Sequence, residues 1–224
     1  MLIDYINENT EAGIDINALT LGFARRATAY KRATLIFSDL NRLRDINKSG
    51  KLQLVFAGKA HPRDESGKRI IKEIYDYSSQ LRGDINVVYL ENYNMEQAGR
   101  LTSGVDLWVN TPLPPNEASG TSGMKAAYNG VINFSVLDGW WIEGYIEGVT
   151  GWAIGPKPRE LTIEREKRAR ELKDLYNKLE YLVVPMFYNN RDEWTNMMRN
   201  SIGKIAYYFH SHRMMRRYAT EAYL

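Results

Sequence analysis

A run of small residues between an acid and an amine, Glu117-Ala118-Ser119-Gly120-Thr121-Ser122-Gly123-Met124-Lys125, carries the residue types that bind an anion. It joins an apolar run, Val105 to Val109, to a segment of good helix formers, Met124 to Tyr128, so it stands where a strand hands over to a helix. The first amides of a helix lack partners, the helix dipole is positive at that end, and glycine lets the backbone come close to a phosphate. Thr121 and Ser122 place hydroxyls between the two glycines. Glu117 can accept hydrogen bonds from ligand hydroxyls, and Lys125 offers a cationic or nucleophilic nitrogen. A bare Gly-Thr-Ser-Gly also fits a loop that only makes a turn.

These groups need elements that bring them together. Leu19 to Ala24, Leu52 to Gly58, Asn86 to Leu90, Val105 to Val109 and Val131 to Leu137 read as short strands. Between them, Thr28 to Asp45, Ser66 to Leu81, Met95 to Thr102 and Gly123 to Tyr128 read as helices. Apolar strands alternating with helices predict a doubly wound, Rossmann-like parallel sheet covered on both faces, with ligands beyond the carboxyl ends of the strands. Arg25 and Arg26 follow the first strand, Gly58-Lys59 the second, Glu91-Asn92-Tyr93 the third, and Asn110 to Ser119 the fourth. All of them are expected on one edge. Arg25, Arg26 and Lys31 leave the first strand where they can reach an anion above the sheet, Arg as a two-pronged donor and Lys as a point charge. Tyr93 at a strand exit suits either core packing or the wall of a cofactor pocket.

The chain has 224 residues, 44% hydrophobic and 25% charged, with a formal net charge of +3, which is ordinary for a globular protein and too small to argue for nucleic acid. There is no cysteine, and the three histidines, His61, His210 and His212, assemble no metal cluster by close spacing. No segment reaches the length of uninterrupted apolar residues that spans a bilayer, and the first residues carry acids where a signal peptide needs bases. The expectation is a cytoplasmic protein with no membrane partner. Residues 1–158 read as the Rossmann-like domain, to which the family resemblance described below assigns cofactor and donor binding, and residues 159–224 as a helical extension. Within the extension, Arg159 to Leu182 reads as one charged helix with Leu172, Leu175, Leu179 and Leu182 at helical spacing. The aromatic and basic residues after Asp192 read as amphipathic helices rather than a nucleic-acid patch.

The motif from Glu117 to Lys125, with Leu137-Asp138-Gly139 after it, resembles the pyridoxal-phosphate segment of the α-glucan phosphorylases, which include glycogen, starch and maltodextrin phosphorylases. The resemblance runs from about Thr20 to Gly155. Many members read Gly-Thr-Gly-Asn-Met-Lys, where this chain has Ser122-Gly123 in place of Gly-Asn. In that family the motif lysine carries pyridoxal phosphate as a Schiff base, which places the cofactor on Lys125. Thr121, Ser122, Gly120 and the following amides would cradle its phosphate. Arg25-Arg26-Ala27-Thr28-Ala29-Tyr30-Lys31-Arg32 resembles a family segment, Lys-Arg-Ile-His-Glu-Tyr-Lys-Arg, whose basic residues approach the substrate and cofactor phosphates at positions matching Arg26 and Lys31. Arg25 stands where the family has Lys. Phe56 to Pro62 resembles the family's Gly-Lys-Ala-x-Pro, and Leu90-Glu91-Asn92-Tyr93 its Leu-Glu-Asn-Tyr, with Tyr93 near the cofactor. Glu117, Ser119 and Gly120 match positions that hydrogen-bond the hydroxyls of a glucosyl unit.

The resemblance implies the carboxyl-terminal half of a two-domain GT-B-type glycosyltransferase whose cofactor acts through its phosphate, with α-glucan, orthophosphate and glucose 1-phosphate as reactants. It also implies an amino-terminal domain absent from this chain and needed for turnover, with Leu172, Leu175 or the aromatic carboxyl end in the contact, and it allows a homo-oligomer. Two other readings stay open. A sugar-nucleotide-dependent glucan glycosyltransferase would share the fold and the glutamate, but commonly places a second acid eight residues later, where this chain has Lys125. A non-catalytic module binding a sugar phosphate would keep the fold without turnover.

Overall fold

The computed structural model describes residues 1–160 and 163–223. Six strands form one sheet in the order β3-β2-β1-β4-β5-β6. They are β1 (Leu19–Ala24), β2 (Leu52–Ala57), β3 (Asn86–Leu90), β4 (Leu107–Asn110), β5 (Ile132–Val136) and β6 (Gly151–Ile154). Every pair is parallel, with Leu21 opposite both Leu54 and Leu107, so all six carboxyl ends share one edge. The winding reverses between β1 and β4, and this is the crevice where open α/β sheets bind ligands.

All residues of β1, β2, β4, β5 and β6 are buried, which is why these strands read as unbroken apolar runs. Leu19, Leu21 and Phe23 of β1 point to one face, joined there by Leu54 and Phe56 of β2 and Phe134 of β5. Helices α2 (Leu40–Ser49), α3 (Glu65–Gln80), α7 (Glu164–Lys178), α8 (Val184–Asn189) and α9 (Arg191–Asn200) cover it. Ala24, Val55, Val88 and Trp108 point to the other face, against α1 (Leu2–Asn9), α4 (Met95–Gly104) and α5 (Thr121–Tyr128). A third, smaller cluster joins Ala127 to Trp140, Trp141 and Ile205 around α6 (Trp141–Gly144). The carboxyl-terminal α10 (Ser211–Tyr218) buries no residue. No helix among the described residues is long and apolar enough to cross a membrane.

Two expectations change. The segment Thr28 to Asp45 is not one helix. It consists of two 3-10 turns, Ala29–Lys31 and Ala33–Phe37, separated by Arg32 in the left-handed conformation at φ 48°, followed by α2. Asp39 caps α2 by accepting the Arg42 amide at 2.9 Å, a start signal that the apolar spacing masked. Ala33, Ile36 and Phe37 are buried all the same, because both helix types present that face to the sheet. The second change concerns Arg159 to Leu182. Its regular α-helix spans Glu164–Lys178 and continues into a π-helical turn, Leu179–Val183, while 161–162 lie outside the described residues. Leu175 and Leu179 are fully buried in this chain's own core and Leu172 packs against it, so Leu175 is not available to a further domain, whereas Leu182 is exposed.

At the opposite edge of the sheet, Asp106 accepts the Thr20 amide at 2.9 Å, and burial pushes its carboxyl up to about 6. The folded value lies above that of an unfolded aspartate, so protonation favours the fold. That contribution is complete below about pH 4 and is lost as the pH rises through about 6. Asp106→Asn keeps an acceptor for Thr20 and removes the titration. It should flatten the decline in melting temperature between about pH 4 and 7 and raise the value at the upper end; a decline as steep as in the unchanged protein would show that Asp106 does not cause it.

Candidate functional site

The chain leaving β1 stays zipped to the chain leaving β2. The Arg25 amide donates to the Ala57 carbonyl and the Ala27 amide to the Lys59 carbonyl, both at 3.1 Å. Only glycine fits between them at position 58, where a Cβ would sit 2.1 Å from the Arg25 carbonyl oxygen. The Arg25 side chain then turns across the switch point onto β4. It donates to the Val109 carbonyl at 2.6 Å and to the Asn110 side chain, with its guanidinium 4.3 Å from the centre of the Phe23 ring. Burial lowers its pKa to about 10, opposed by the Glu117 charge, so it is a cation at neutral pH. Its Nε and the Thr28 hydroxyl are buried without a partner among the described residues. An unmet donor on a charged, desolvated group is an opening for an anion.

Lys31 lies in the first 3-10 turn beyond and pairs with Glu117, their side chains 12% and 6% exposed. Their partnership across 86 residues was not anticipated; each was expected to serve a ligand. Glu117 is held from behind, because its amide donates to Asp138 Oδ2 at 2.9 Å and the Asp138 side chain also takes the Gly139 amide at 3.0 Å. Burial raises the Asp138 carboxyl. The next turn of the motif is braced by the Trp140 amide, which donates to the Ser119 carbonyl at 2.8 Å.

Gly120 then swings the backbone to φ 87° and opens α5, whose start has no side-chain cap. Gly123 seats the helix so close to β5 that a Cβ would lie 2.6 Å from Asn133 Oδ1. One turn further along, Lys125 is exposed, and among the described residues its amine has no hydrogen bond or ion pair. Thr121 is exposed on the same side and Ser122 is half-buried. Tyr93 is half-buried at the exit of β3. Burial raises its phenol and the Arg25 charge lowers it, which places the two close together. Ser119 is exposed and, with Glu117 and Thr121, lines a groove of about 990 Å³ whose far wall is α10.

The structure therefore gathers Arg25, Lys31, Glu117, Gly120 and Thr121 at the carboxyl edge around the switch point, with Tyr93 beside Arg25, while Lys125 stands exposed on α5. Arg26 is exposed and makes no hydrogen bond among the described residues. Two participants were missed. Asp138 had a local signal, the Asp-Gly after a strand. Arg32 had none. It donates to the Thr111 carbonyl at 2.8 Å, the Pro112 carbonyl at 2.7 Å and both carboxylate oxygens of Glu171 at 2.5 and 3.2 Å.

This is a doubly wound α/β domain with a helical carboxyl-terminal region, and sequence comparison places it further. The family model for carbohydrate phosphorylase matches residues 1–151, and the chain belongs to that family. It is 48% identical over 212 residues to a maltodextrin phosphorylase of Thermococcus litoralis, covering 94% of this chain and 25% of that protein. It is 44% identical over 218 residues to a glycogen phosphorylase of Aquifex aeolicus, covering 94% of this chain and 31% of that protein. An uncharacterised protein of Methanocaldococcus jannaschii is 33% identical over 226 residues, covering all of this chain and 41% of that protein. The chain thus spans between a quarter and two fifths of the length of these relatives. A GT-B architecture is consistent with this family.

Gly58→Ala should lower the melting temperature by several degrees, corresponding to about 1–3 kcal/mol for a contact that only backbone movement relieves. An unchanged melting temperature would mean that the β1 and β2 exits are not held together as described.

Proposed function

We propose that this chain is the carboxyl-terminal, cofactor-bearing portion of an α-glucan phosphorylase, which uses pyridoxal phosphate and orthophosphate to release glucose 1-phosphate from α-1,4-glucan. The observation that supports it most directly is the exposed amine of Lys125, without a partner among the described residues, one turn inside a helix that opens without a side-chain cap. The donor set fits the cofactor: a primary amine for its aldehyde, uncapped amides and the Thr121 hydroxyl for its phosphate, and an unmet buried donor on Arg25. When bound, the group supplies a phosphate that gives and takes a proton beside the substrate phosphate.

The chain's own residues divide the remaining work. Arg26, exposed and unengaged among the described residues, and Lys31 bind the substrate anion. Glu117 accepts from sugar hydroxyls, and Ser119 and Gly120 complete that part of the pocket. Without ligand, Lys31 and Glu117 neutralise each other. A ligand with both an anion and hydroxyls gives each of them a new partner at once, whereas a bare sugar leaves a half-buried Lys31 unpaired. Glucose 1-phosphate is therefore expected to bind more tightly than glucose. The acceptor glucan and the closure that excludes water belong to the part of the family's proteins that this chain does not span.

Two measurements test this reading. After incubation with pyridoxal phosphate and reduction with borohydride, peptide mass mapping should find the label on Lys125 and lose it in Lys125→Ala; label spread over surface lysines and indifferent to that substitution would refute the assignment. By calorimetry, Lys31→Ala and Arg26→Ala should each weaken orthophosphate or glucose 1-phosphate binding by about 1–3 kcal/mol, the scale of a charge-assisted hydrogen bond. Affinity unchanged in both variants would make these cations structural.

A further inference from the structure

Arg32 is a non-glycine residue with a positive φ, 48°, between the two 3-10 turns that follow β1. Such a conformation persists only where its surroundings over-determine it. Here the side chain does so with four hydrogen bonds. Two go to the Thr111 and Pro112 carbonyls beyond β4, and two go to the carboxylate of Glu171, which is 3% exposed on α7. The contact is reciprocated, because the Thr111 hydroxyl lies 3.0 Å from the Lys31 carbonyl and 3.1 Å from the Arg32 carbonyl. The Leu113 amide closes the same junction by donating to the Tyr30 carbonyl at 2.7 Å.

This junction carries both members of the Lys31–Glu117 pair, Lys31 as the neighbour of Arg32 and Glu117 at the end of the loop that begins at Thr111. Glu171 is 139 residues from Arg32 and supplies the only carboxylate that Arg32 meets among the described residues. Removing its charge leaves a largely buried guanidinium uncompensated beside the Lys31 turn. Arg32 would then be drawn toward solvent, taking its grip on the Thr111 and Pro112 carbonyls with it.

We propose that Glu171 of α7 is a positioning residue for the anion site: through Arg32 it sets the turn that carries Lys31 against the loop that carries Glu117. Helix α7 thereby acts on the Lys31–Glu117 pair through Arg32. The orthophosphate arm of the test rests on the function proposed above; the positioning role itself does not.

The test uses the whole 224-residue chain, with the rate at which a lysine-acetylating reagent modifies Lys31, followed by peptide mass spectrometry. Glu171→Gln removes the charge, and Thr111→Val removes the hydroxyl staple without stranding a charge. Leu175→Val is a control that loosens α7 at a core position one turn from Glu171 without removing any member of the junction. Expected are a rise of about tenfold in Lys31 labelling in Glu171→Gln and in Thr111→Val, none in Leu175→Val, and a matching loss of orthophosphate affinity in the first two. If Glu171→Gln does not fold, Thr111→Val decides. Labelling that stays at the unchanged rate in Thr111→Val and in any folded Glu171→Gln would overturn the proposal. So would an equal rise in Leu175→Val, which would reduce the effect to general loosening. Negligible orthophosphate binding by the unchanged chain counts against the proposed function alone, since the labelling still decides the positioning role.

Discussion

Four cations leave β1 within eight residues, and all but Arg26 are drawn largely out of solvent: Arg25 under the Val109 carbonyl, Lys31 against Glu117, and Arg32 against Glu171. A desolvated cation is costly unless it is paired and hydrogen-bonded. The acceptors come almost entirely from one place, the end of β4 and the loop beyond it, which supplies the Val109, Thr111 and Pro112 carbonyls, the Asn110 amide and the Glu117 carboxylate. The order of the sheet makes this possible. Because β1 and β4 are neighbours across the switch point, a basic turn and an acceptor-rich loop far apart in the chain face each other with no third element between them.

The arrangement explains why the site can be charged and still stable. Lys31 and Glu117 satisfy each other, Asp138 holds the Glu117 backbone, and Arg25 keeps one unmet donor in reserve. The charged side chains left wholly without partners among the described residues, the Lys125 amine and the Arg26 guanidinium, are exposed and so carry little desolvation cost, whereas Arg25 Nε and the Thr28 hydroxyl are unmet and buried. Charges in this cluster are thus paired where burial would penalise an unpaired one and left open where they face solvent.

Much of this was legible in the sequence, for identifiable reasons. Parallel strands buried on both faces read as plain apolar runs, so β1, β2, β4 and β5 could be found without periodicity. Strand β6 escaped because Gly151-Trp152-Ala153-Ile154 is four residues long and opens on glycine. The amino-terminal α1 escaped although Leu2, Ile3 and Ile6 form its buried stripe. The helix expected from Thr28 failed at Arg32, where a long-range set of hydrogen bonds overrides local propensity. Local motifs singled out Glu117, Gly120, Thr121 and Lys125 as candidates because their chemistry is contiguous in the chain. The pairing of Arg32 with Glu171 could not be read, since Arg32 looks like one more base after Lys31 and Glu171 sits in the charged run Glu164-Arg165-Glu166-Lys167-Arg168-Ala169-Arg170-Glu171. A buried carboxylate and a solvated one have the same letter; only the fold distinguishes them.

The two helical layers meet this site differently. On one face α5 inserts Ala126 and Ala127 beneath it and points its uncapped start at the crevice. On the other, α7 sends Leu175 into the core and Glu171 to the junction below Lys31. A single sheet separates the layers, and at its carboxyl edge polar groups from both converge without interrupting a helix or a strand. That convergence requires residues that pack as closely as the core does. Gly155, at the end of β6, lies so near α7 that a Cβ there would meet the Glu171 side chain at 2.5 Å, so the chain leaving the last strand helps seat the carboxylate that holds the turn leaving the first. The site is therefore set by all three layers together, and α7 belongs to its architecture as fully as the strand exits do.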